Sequence, residues 1–472
     1  MYRKHIYLTV NGEIIELGGK EAIAPLSDTL RYYLGKTGTK VVCAEGDCGA
    51  CTVMLARARE GVYRSINACI YPTFLADGCH LVTVEGLAKN SELHEVQQSM
   101  MRNFGGQCGF CTPGFVMSLV NLYEHKTAPK EQNVKNYLTG NLCRCTGYQP
   151  IVQAALDINA KKMKSLGEMY PLKKETETLI SKTAQPILIE IEEREFFAPV
   201  TLQQAVEYKN RRPHARIFSG ATDLGVQINK GKFIGEQRMS LHLLEELNEI
   251  KVNNSVVGVG ARVTLEKLQT VMAAHVPQFA DFLNIFASPQ IKNSATLVGN
   301  LANGSPIADT TPFLLAMDAH VSLLGPSGQR VLPITQFFKG YKSLDMAENE
   351  FITHISWPLV LDKKTKIGLY KVSQRRDLDI SCVNACFVFR INSGVIEDAR
   401  IALGGVAAVP LRLGAIEKSL LGHVVSKDLI AKTNTQITDA IQPLSDARGS
   451  ADFRKSVTQE LFQKFAMEHL QP

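Results

Sequence analysis

Nine of the eleven cysteines lie between residues 43 and 145, and eight of these nine fall into two groups with different spacings. The first group is Cys43, Cys48 and Cys51, with Cys69 eighteen positions further along. This C-x4-C-x2-C…C pattern is a spacing with which four thiolates bind a [2Fe-2S] cluster. The glycines between these cysteines can take a positive φ, which lets backbone N–H groups turn toward the negative charge of such a cluster.

The second group consists of a C-x2-C pair, Cys108 and Cys111, and a distant C-x-C pair, Cys143 and Cys145. These four thiolates could form another site if helices brought the two pairs together. Structural zinc is the alternative, because C-x2-C pairs are common zinc ligands. The long return of the first group favours iron, whereas the second group by itself is compatible with either metal.

The elements around the first group predict a small mixed sheet. Alternating apolar residues from His5 to Leu17 surround Asn11-Gly12, which predicts a type I′ hairpin. A short helix is expected over Asp28 to Leu34, and strands over Thr52 to Leu55 and His80 to Val84. This order favours a ferredoxin-like β-grasp domain.

Helices are predicted around the second group. Thr112 and Pro113 have the residue types of an N-cap and a first helical position, and apolar residues recur at helical spacing as far as Tyr123. Gly140 suits the end of a helix through Val134 to Leu138. A helical-bundle domain is therefore expected here.

Composition is that of an ordinary globular protein, with 45% hydrophobic and 21% charged residues. A chain of 472 residues is too long for one core, so several domains are expected. The net charge of +6 indicates no nucleic-acid partner, and no run of eighteen apolar residues predicts a membrane span. The N-terminus leads into a strand pattern without a signal core, so the cytoplasm is the expected location.

Two polar stretches in the α/β region could hold a nucleotide cofactor. The strand Ala215 to Phe218 runs into Gly220-Ala-Thr-Asp223 and a helix start, which can offer backbone N–H groups to a pyrophosphate. In the stretch from Phe286 to Asp309, hydroxyls and amides alternate with apolar residues. Neither stretch has an established dinucleotide fingerprint, so ordinary turns, with Asp309 capping the next helix, remain the alternative.

The last part of the chain predicts an α+β arrangement. Strands are expected over Val383 to Ile391 and Ala399 to Leu403, and helices over Ser426 to Ile441 and Ala451 to Phe465. Three cysteines outside the two groups are expected to be buried in cores: Cys79, Cys382 and Cys386.

These motifs, in this order, resemble the molybdenum hydroxylase family. They are the first cysteine group, Asn67-Ala-Cys69, Thr83-Val-Glu-Gly-Leu87, Gln-Cys-Gly-Phe-Cys-Thr-Pro-Gly at 107–114 and Leu-Cys-Arg-Cys-Thr-Gly-Tyr at 142–148. Within the family, the chain is most similar to the small iron–sulfur and flavin subunit of bacterial purine-oxidising members. The resemblance extends over essentially the whole chain.

The resemblance implies two [2Fe-2S] clusters and one FAD. The metal ligands would be Cys43, Cys48, Cys51, Cys69, Cys108, Cys111, Cys143 and Cys145. The FAD contacts would be Gly220, Ala221, Thr222, Asp223, Leu224, Phe286, Thr296, Asn300 and Asp309. Gln107 and Cys145 would lie nearest the pterin of the partner. Arg375, Arg376 and Asp379 match the loop at the flavin edge, although a solvated charge run is equally compatible with them.

The resemblance also implies a function in electron transfer. Electrons from hypoxanthine or xanthine, oxidised to urate on a large molybdopterin-binding subunit, would pass through two clusters and FAD to NAD. Two small and two large subunits would form a heterotetramer, and this chain would contribute no catalytic residue of its own. The alternatives are a small subunit of another molybdenum hydroxylase, acting on an N-heterocycle, an aldehyde or CO, or a zinc-stabilised binding module of a different class.

The predicted fold class is thus a multidomain α+β protein. The expected ranges are a ferredoxin-like [2Fe-2S] domain at 1–88, a helical [2Fe-2S] domain at 89–160, a linker without regular structure at 161–190, an α/β FAD-binding domain at 191–365 and a flavoprotein C-terminal α+β domain at 366–472.

Overall fold

The computed structural model describes residues 2–126, 128–233, 235–253, 255–359 and 362–470. The few remaining positions belong to four of the predicted domains, and those parts of the domain predictions lie outside the described residues. The chain folds into two units. The first comprises the residues up to Glu245 together with Ala287–Ala295, and the second comprises Glu246–Phe286 and the chain from Thr296 onward. Residues 191–365 therefore contribute to both units.

A mixed five-stranded sheet begins the first unit. Its order across the sheet is Glu13–Gly18, His5–Val10, Cys79–Val82, Thr52–Arg57 and Arg64–Asn67. The turn between the first two strands of the chain has φ values of 52° at Asn11 and 96° at Gly12. Positive φ at both positions confirms the predicted type I′ hairpin.

Short helical turns lie between and after the strands of this sheet. They are Gly19–Ile23, Leu26–Asp28, the π-helical turn Thr29–Tyr33 and the 3-10 turns Thr73–Ala76 and Val84–Leu87. The helix predicted from Asp28 to Leu34 is thus present as a π-helical turn. The side chains of Ile6, Leu8, Leu30 and Phe74 are fully buried and form part of the core.

Four longer helices surround the second cysteine group. They are Glu95–Arg102, Thr112–His125, Glu131–Tyr137 and Gln149–Leu156. Phe115, Leu119 and Leu122 on the second of these helices are fully buried. Thr112 was expected to cap that helix but is its first residue, because Cys111 occupies the N-cap position.

The stretch 161–190, predicted to lack regular structure, contains two helices. Leu166–Met169 is capped by Ser165, whose hydroxyl accepts from the Glu168 N–H. Lys173–Lys182 follows it. The polar composition of this stretch gives no clear apolar periodicity, because each helix buries only a few residues. Leu166 and Leu179 are among these and are fully buried.

A second sheet belongs to the first unit. Its order is Ile187–Ile191, Arg194–Ala198, Gln237–Ser240 and Arg216–Phe218. The helices associated with it in sequence are Leu202–Arg211, Leu224–Asn229 and Pro289–Lys292. Thr201 caps the first of these by accepting from the Gln204 N–H. The ring of Phe196 stacks on Phe74 with 4.2 Å between centroids, so both sheets share one core.

In the described part of the second unit there are three sheets. The five-stranded sheet has the order Ile250–Val252, Val256–Gly260, Phe351–Pro358, His320–Gly325 and Gly328–Pro333. The four-stranded sheet has the order Thr365–Val372, Val383–Asn392, Val395–Gly404 and Leu411–Arg412. The small sheet pairs Phe338–Gly340 with Ser343–Leu344. Both strands predicted near the C-terminus are therefore present.

Helices complete the second unit. They are Leu265–His275, Pro277–Phe282, Leu297–Ala302, Thr311–Ala316, Ile334–Phe337, Gly414–Leu420, Lys427–Ala440 and Ala451–His469, and the 3-10 turn Glu245–Asn248 lies where the chain passes from the first unit to the second. Among the described residues, every helix is too short or too polar to cross a lipid bilayer. The sheets and helices confirm the predicted multidomain α+β class.

Candidate functional site

The first cysteine group lies on a loop without regular structure and on the chain that follows it. The Cys43 thiol is within hydrogen-bond distance of Cys48 and Cys69, and Cys69 also reaches Cys51. The Cys48 N–H donates to Cys43 Sγ at 3.4 Å. The structure thus brings all four predicted ligands of this group together.

Backbone conformation makes this compact loop possible. Ala44, Gly46 and Gly49 have φ values of 55°, 81° and 66°. A Cβ atom on Gly49 would lie 2.2 Å from the Gly140 carbonyl oxygen. Glycine is therefore required at position 49 for two reasons, the positive φ and the close approach of a neighbouring segment.

The charges of the first group are strongly coupled. Hydrogen bonds from the Cys48 and Cys69 thiols lower the pKa of Cys43. The same hydrogen bonds raise the pKa of Cys48 and of Cys69. Ionising more than one of these thiols would place like charges side by side, which is unfavourable unless cations lie between them. The donor set therefore fits a cluster that contains positively charged irons.

The second group is also brought together, as two pairs. Cys145 Sγ lies 3.5 Å from Cys108 Sγ, and the Cys111 thiol is within hydrogen-bond distance of Cys143. Thr146 donates its backbone N–H at 3.5 Å and its hydroxyl at 3.1 Å to Cys143 Sγ.

The two pairs of the second group differ in exposure, and within the more buried pair the two thiols have opposite pKa shifts. Burial raises the pKa of Cys111 to about 12. Burial also raises the pKa of Cys143, but the hydrogen bonds from Thr146 outweigh burial, so that its pKa is lowered. Cys108 and Cys145 are exposed to solvent.

Within the described ranges, no three or more His, Cys, Asp or Glu side chains are arranged to hold a single metal ion. What the structure contains at each group is neighbouring thiols in pairwise contact. A [2Fe-2S] cluster has two irons, each bound by two thiolates. Pairwise contact is therefore compatible with such a cluster.

The two cysteine groups are joined through the backbone and through side chains. The Leu142 N–H donates to the Cys48 carbonyl oxygen at 3.0 Å. Asn141 Nδ2 donates to the Gly49 carbonyl oxygen at 3.3 Å. The segment before Cys143 therefore rests directly on the loop of the first group.

Asn229 is a residue that sequence reasoning missed. Its Nδ2 donates to the carbonyl oxygens of Ala44, at 2.8 Å, and Cys69, at 2.7 Å. Asn67 Nδ2 similarly donates to the Gly46 carbonyl oxygen at 2.6 Å. No spacing signal connects Asn229 with the cysteines, because the contact joins segments that are far apart in sequence.

The first predicted FAD loop lies in the first unit. Gly220 to Asp223 connects the strand Arg216–Phe218 to the helix Leu224–Asn229, as predicted. A Cβ atom on Gly220 would lie 2.0 Å from the Ser294 carbonyl oxygen, so only glycine fits there. Ala221 has a φ of 57°.

The other predicted FAD contacts lie in the second unit. Thr296 caps the helix Leu297–Ala302 through its hydroxyl, which accepts from the Gly299 N–H at 3.0 Å. The Thr310 hydroxyl donates to Asn300 Oδ1 at 2.6 Å. These two side chains are therefore already engaged within the protein, each with capacity for a further hydrogen bond.

The alternative interpretation expected Asp309 to cap the next helix, but Asp309 does not do so. That helix is Thr311–Ala316, with Thr310 at the N-cap. Asp309 instead accepts from Lys371 Nζ at 2.7 Å and from Asn384 Nδ2 at 2.8 Å. Lys371 Nζ also donates to the Phe286 carbonyl oxygen at 3.2 Å.

These contacts test whether the residues fit a flavin. The buried polar network around Asp309 has the hydroxyl, amide and charged groups that could hydrogen-bond a cofactor's polar edge. Lys371 Nζ lies 6.0 Å from the centre of the Phe286 ring, so a cation and an aromatic face are adjacent. This donor and acceptor set is compatible with FAD.

The remaining sequence predictions concern single residues. Arg375 and Asp379 form an ion pair at 2.6 Å on the surface. Three cysteines are buried, as predicted: Cys79, Cys382 and Cys386. Burial raises the pKa of Cys382 and of Cys386, which fits inert core thiols.

Three regions of the chain match known protein families. Residues 83–156 match the family described as "[2Fe-2S] binding domain". Residues 190–360 match "FAD binding domain in molybdopterin dehydrogenase". Residues 368–469 match "CO dehydrogenase flavoprotein C-terminal domain".

Similar proteins include xanthine dehydrogenases. Xanthine dehydrogenase 1 of Arabidopsis thaliana is 31% identical over an alignment of 515 residues. The alignment covers 93% of this chain and 38% of that protein. Xanthine dehydrogenase of Emericella nidulans is 30% identical over 517 residues, which cover 97% of this chain and 38% of that protein. The chain thus spans well under half the length of these relatives.

Two solved structures are similar to part of the chain. A carbon monoxide dehydrogenase from Hydrogenophaga pseudoflava has a TM-score of 0.55 at 26% identity, covering 58% of this chain and 96% of that one. Quinoline 2-oxidoreductase from Pseudomonas putida 86 has a TM-score of 0.54 at 25% identity, covering 58% and 95%. With these matches, the paired cysteine groups identify the chain as a member of the molybdenum hydroxylase family that contains [2Fe-2S]-binding and FAD-binding domains.

Proposed function

We propose that this chain is the small, electron-transfer subunit of a xanthine dehydrogenase. In this proposal a large molybdopterin-binding subunit oxidises hypoxanthine and xanthine to urate, and NAD accepts the electrons at this chain. The similarity to xanthine dehydrogenases over 93% and 97% of the chain supports this assignment.

The division of labour between two chains is part of the proposal. The xanthine dehydrogenases that match are much longer than this chain, which spans 38% of each. In the carbon monoxide dehydrogenase and the quinoline oxidoreductase, nearly the whole of a shorter chain matches little more than half of this one. This supports a family in which the domains can be distributed over separate chains. We propose a heterotetramer of two small and two large subunits.

The arrangement of the two cysteine groups carries the proposal. Each group brings its four thiols together through pairwise contacts, and the Leu142 N–H joins the segment of the second group to Cys48 of the first at 3.0 Å. When bound, the two clusters and FAD supply one-electron and two-electron transfer. The polypeptide would then hold the clusters and FAD at fixed positions, and it would need few side chains for acid–base catalysis.

The individual residues have distinct roles in this proposal. The eight cysteines of the two groups would bind the irons. The backbone of Gly220 to Leu224 would receive the pyrophosphate of FAD, and Phe286, Thr296, Asn300 and Asp309 would contact the rest of the cofactor. The thiols of both groups must stay reduced before iron is inserted, which supports a cytoplasmic location.

The test is co-expression with the candidate large subunit, followed by assays of the purified complex. We expect about four irons and one flavin per small chain, and reduction of NAD with xanthine as substrate. A complex with full iron, flavin and molybdenum that does not oxidise purines would contradict the substrate assignment. A complex that oxidises xanthine but transfers electrons only to a quinone or to oxygen would contradict NAD as acceptor.

A second candidate is the small subunit of a different molybdenum hydroxylase. The likeness to a carbon monoxide dehydrogenase and a quinoline oxidoreductase favours it. The same complex tested with quinoline, an aldehyde and CO separates the candidates, because the substrate is selected on the partner subunit and not on this chain.

A zinc-stabilised binding module is the alternative from another class. Its discriminating observation is the metal content, since a zinc protein is colourless and an iron–sulfur flavoprotein is brown. Fewer than about two irons per chain after anaerobic purification would exclude our proposal.

A further inference from the structure

Gln290 occupies an unusual position in the first unit. It lies on the short helix Pro289–Lys292, between Phe286 and Thr296 in sequence, and only 1% of its surface is exposed. A buried amide needs hydrogen-bond partners. The identity of those partners distinguishes Gln290 from an ordinary core residue.

The Gln290 amide reaches three different segments. Its Nε2 donates to Asn141 Oδ1 at 3.0 Å, to Ser118 Oγ at 3.1 Å and, more weakly, to Thr52 Oγ1 at 3.4 Å. The Ser118 hydroxyl also donates to Asn141 Oδ1 at 2.7 Å. The four side chains form one buried polar cluster, which we call the Gln290 node.

Each acceptor in the Gln290 node belongs to a segment that holds proposed iron ligands. Thr52 directly follows Cys51 of the first group. Asn141 lies two residues before Cys143 of the second group. Ser118 lies on the helix that begins beside the C-x2-C pair. One side chain therefore contacts the supports of both groups.

The segments around the node are closely packed. A Cβ atom on Gly140 would lie 2.3 Å from Gln290 Oε1, so the chain before the C-x-C pair is in direct contact with the amide. A Cβ atom on Gly114 would lie 2.1 Å from the Gly49 carbonyl oxygen. Small residues thus bring both cysteine-bearing segments close together, and the amide joins them.

We infer that Gln290 is a positioning residue that fixes the separation and orientation of the two cluster-binding segments, and with them electron transfer between the clusters. The inference rests on the proposed function, because it requires two clusters that exchange an electron. It goes beyond that function because it assigns this geometry to a residue outside both cysteine groups. Gln290 itself binds no iron and no substrate.

The test compares two variants of the full complex with wild type. Gln290→Leu removes the donor at nearly constant volume, and Gln290→Glu keeps the shape but replaces the amide by a carboxylate. The matched control is Asn293→Leu, because Asn293 anchors the same segment by donating to the Ser65 carbonyl oxygen at 2.8 Å but takes no part in the Gln290 node.

Two readouts report on the geometry directly. The first is the splitting of the electron paramagnetic resonance signals when both clusters are reduced, which depends on their separation and orientation. The second is the rate of electron equilibration between the clusters after rapid partial reduction. We expect Gln290→Leu to lose part of the splitting and to equilibrate more slowly at full iron content, with Asn293→Leu like wild type.

The outcomes separate this inference from the proposed function. Wild-type splitting and wild-type equilibration in Gln290→Leu at full iron content would overturn the inference and leave the proposed function intact. Loss of iron in both Gln290 variants would assign only a structural role and would also overturn it. If Gln290→Leu does not fold, Gln290→Glu decides by the same readouts. A wild-type protein without two cluster signals would instead refute the proposed function.

Discussion

Asn229 Nδ2 donates to the Cys69 carbonyl oxygen at 2.7 Å and to the Ala44 carbonyl oxygen at 2.8 Å. The helix Leu224–Asn229 that follows the proposed pyrophosphate loop therefore ends on the loop of the first cysteine group. At the same helix, a Cβ atom on Gly225 would lie 2.1 Å from the Ile70 carbonyl oxygen. The segment expected to bind FAD thus stabilises the segment expected to bind iron.

Asn229→Leu should weaken the first cluster site. Two partly buried carbonyl groups lose their donor, and an unmet hydrogen bond of this kind costs about 1–3 kcal/mol. We expect faster loss of iron to a chelator, measured by the decay of visible absorbance. Lys230→Ala is the control, because Lys230 pairs with Glu45 at the surface and such exposed pairs contribute little to stability. Equal iron loss in both variants would contradict the role of Asn229.

Removing one cysteine should empty one cluster and leave the other. Cys108→Ala should lower the iron content from about four to about two per chain, with the signal of the first group retained. Cys79→Ala should keep all the iron, because Cys79 is a buried thiol outside both groups. Iron analysis with electron paramagnetic resonance measures both. Unchanged iron in Cys108→Ala would exclude it as a ligand.

Acid should weaken the first unit through Asp77. Burial raises the pKa of Asp77, but the His242 ring, with Nε2 3.7 Å from the carboxylate, and the hydrogen bonds from Arg3 outweigh burial, so its pKa is lowered. A depressed carboxyl pKa contributes stability above the unfolded pKa of about 3.9, and this stability is lost as the pH falls through the folded pKa. The advantage of wild type over Asp77→Asn in free energy of unfolding should therefore be largest near neutral pH and shrink below about pH 4.

Urea titrations at several pH values test this prediction. Near neutral pH, Asp77→Asn should cost about 3 kcal/mol, because it leaves the nearly buried Arg3 cation without its charged partner. The exposed Asp439→Asn is the control. A wild-type advantage that stayed constant down to pH 3 would contradict the contribution of Asp77.

Gly220→Ala should reduce FAD binding and spare the iron. The added Cβ would lie 2.0 Å from the Ser294 carbonyl oxygen, and overpacking of this kind costs about 1–3 kcal/mol. The loop would have to move away from the position proposed for the pyrophosphate. Flavin content measured after denaturation gives the result. Gly414→Ala is the matched control, since a Cβ there meets no atom within 4 Å. Full flavin in Gly220→Ala would argue against this loop.

Asp309→Ala should destabilise the second unit strongly. Only 1% of the Lys371 side chain is exposed, and leaving such a cation without its carboxylate costs about 3–5 kcal/mol. The double variant Asp309→Ala with Lys371→Met should recover much of this loss, because it removes the unpaired charge. Thermal unfolding of the apoprotein measures both variants. A double variant less stable than the single one would contradict the ion-pair explanation.

The local features of the chain could be predicted from the sequence because they depend on neighbouring residues. The hairpin at Asn11-Gly12 follows from two residues that accept positive φ. Thr201 and Thr264 cap helices because their hydroxyls reach the N–H three residues on. The cysteine spacings likewise indicated the ligand chemistry, since a loop of nine residues can bring its own thiols together.

Only the tertiary structure decided which distant side chains complete the site. Asn229 contacts Ala44, and Gln290 contacts Thr52, through pairs separated by 185 and 238 positions. No local pattern encodes such contacts, because they depend on where the packed core places each element. For the same reason the sequence predicts a linker where the helix Lys173–Lys182 lies. The sequence of this helix is polar, and burial of a few residues such as Leu179 stabilises it.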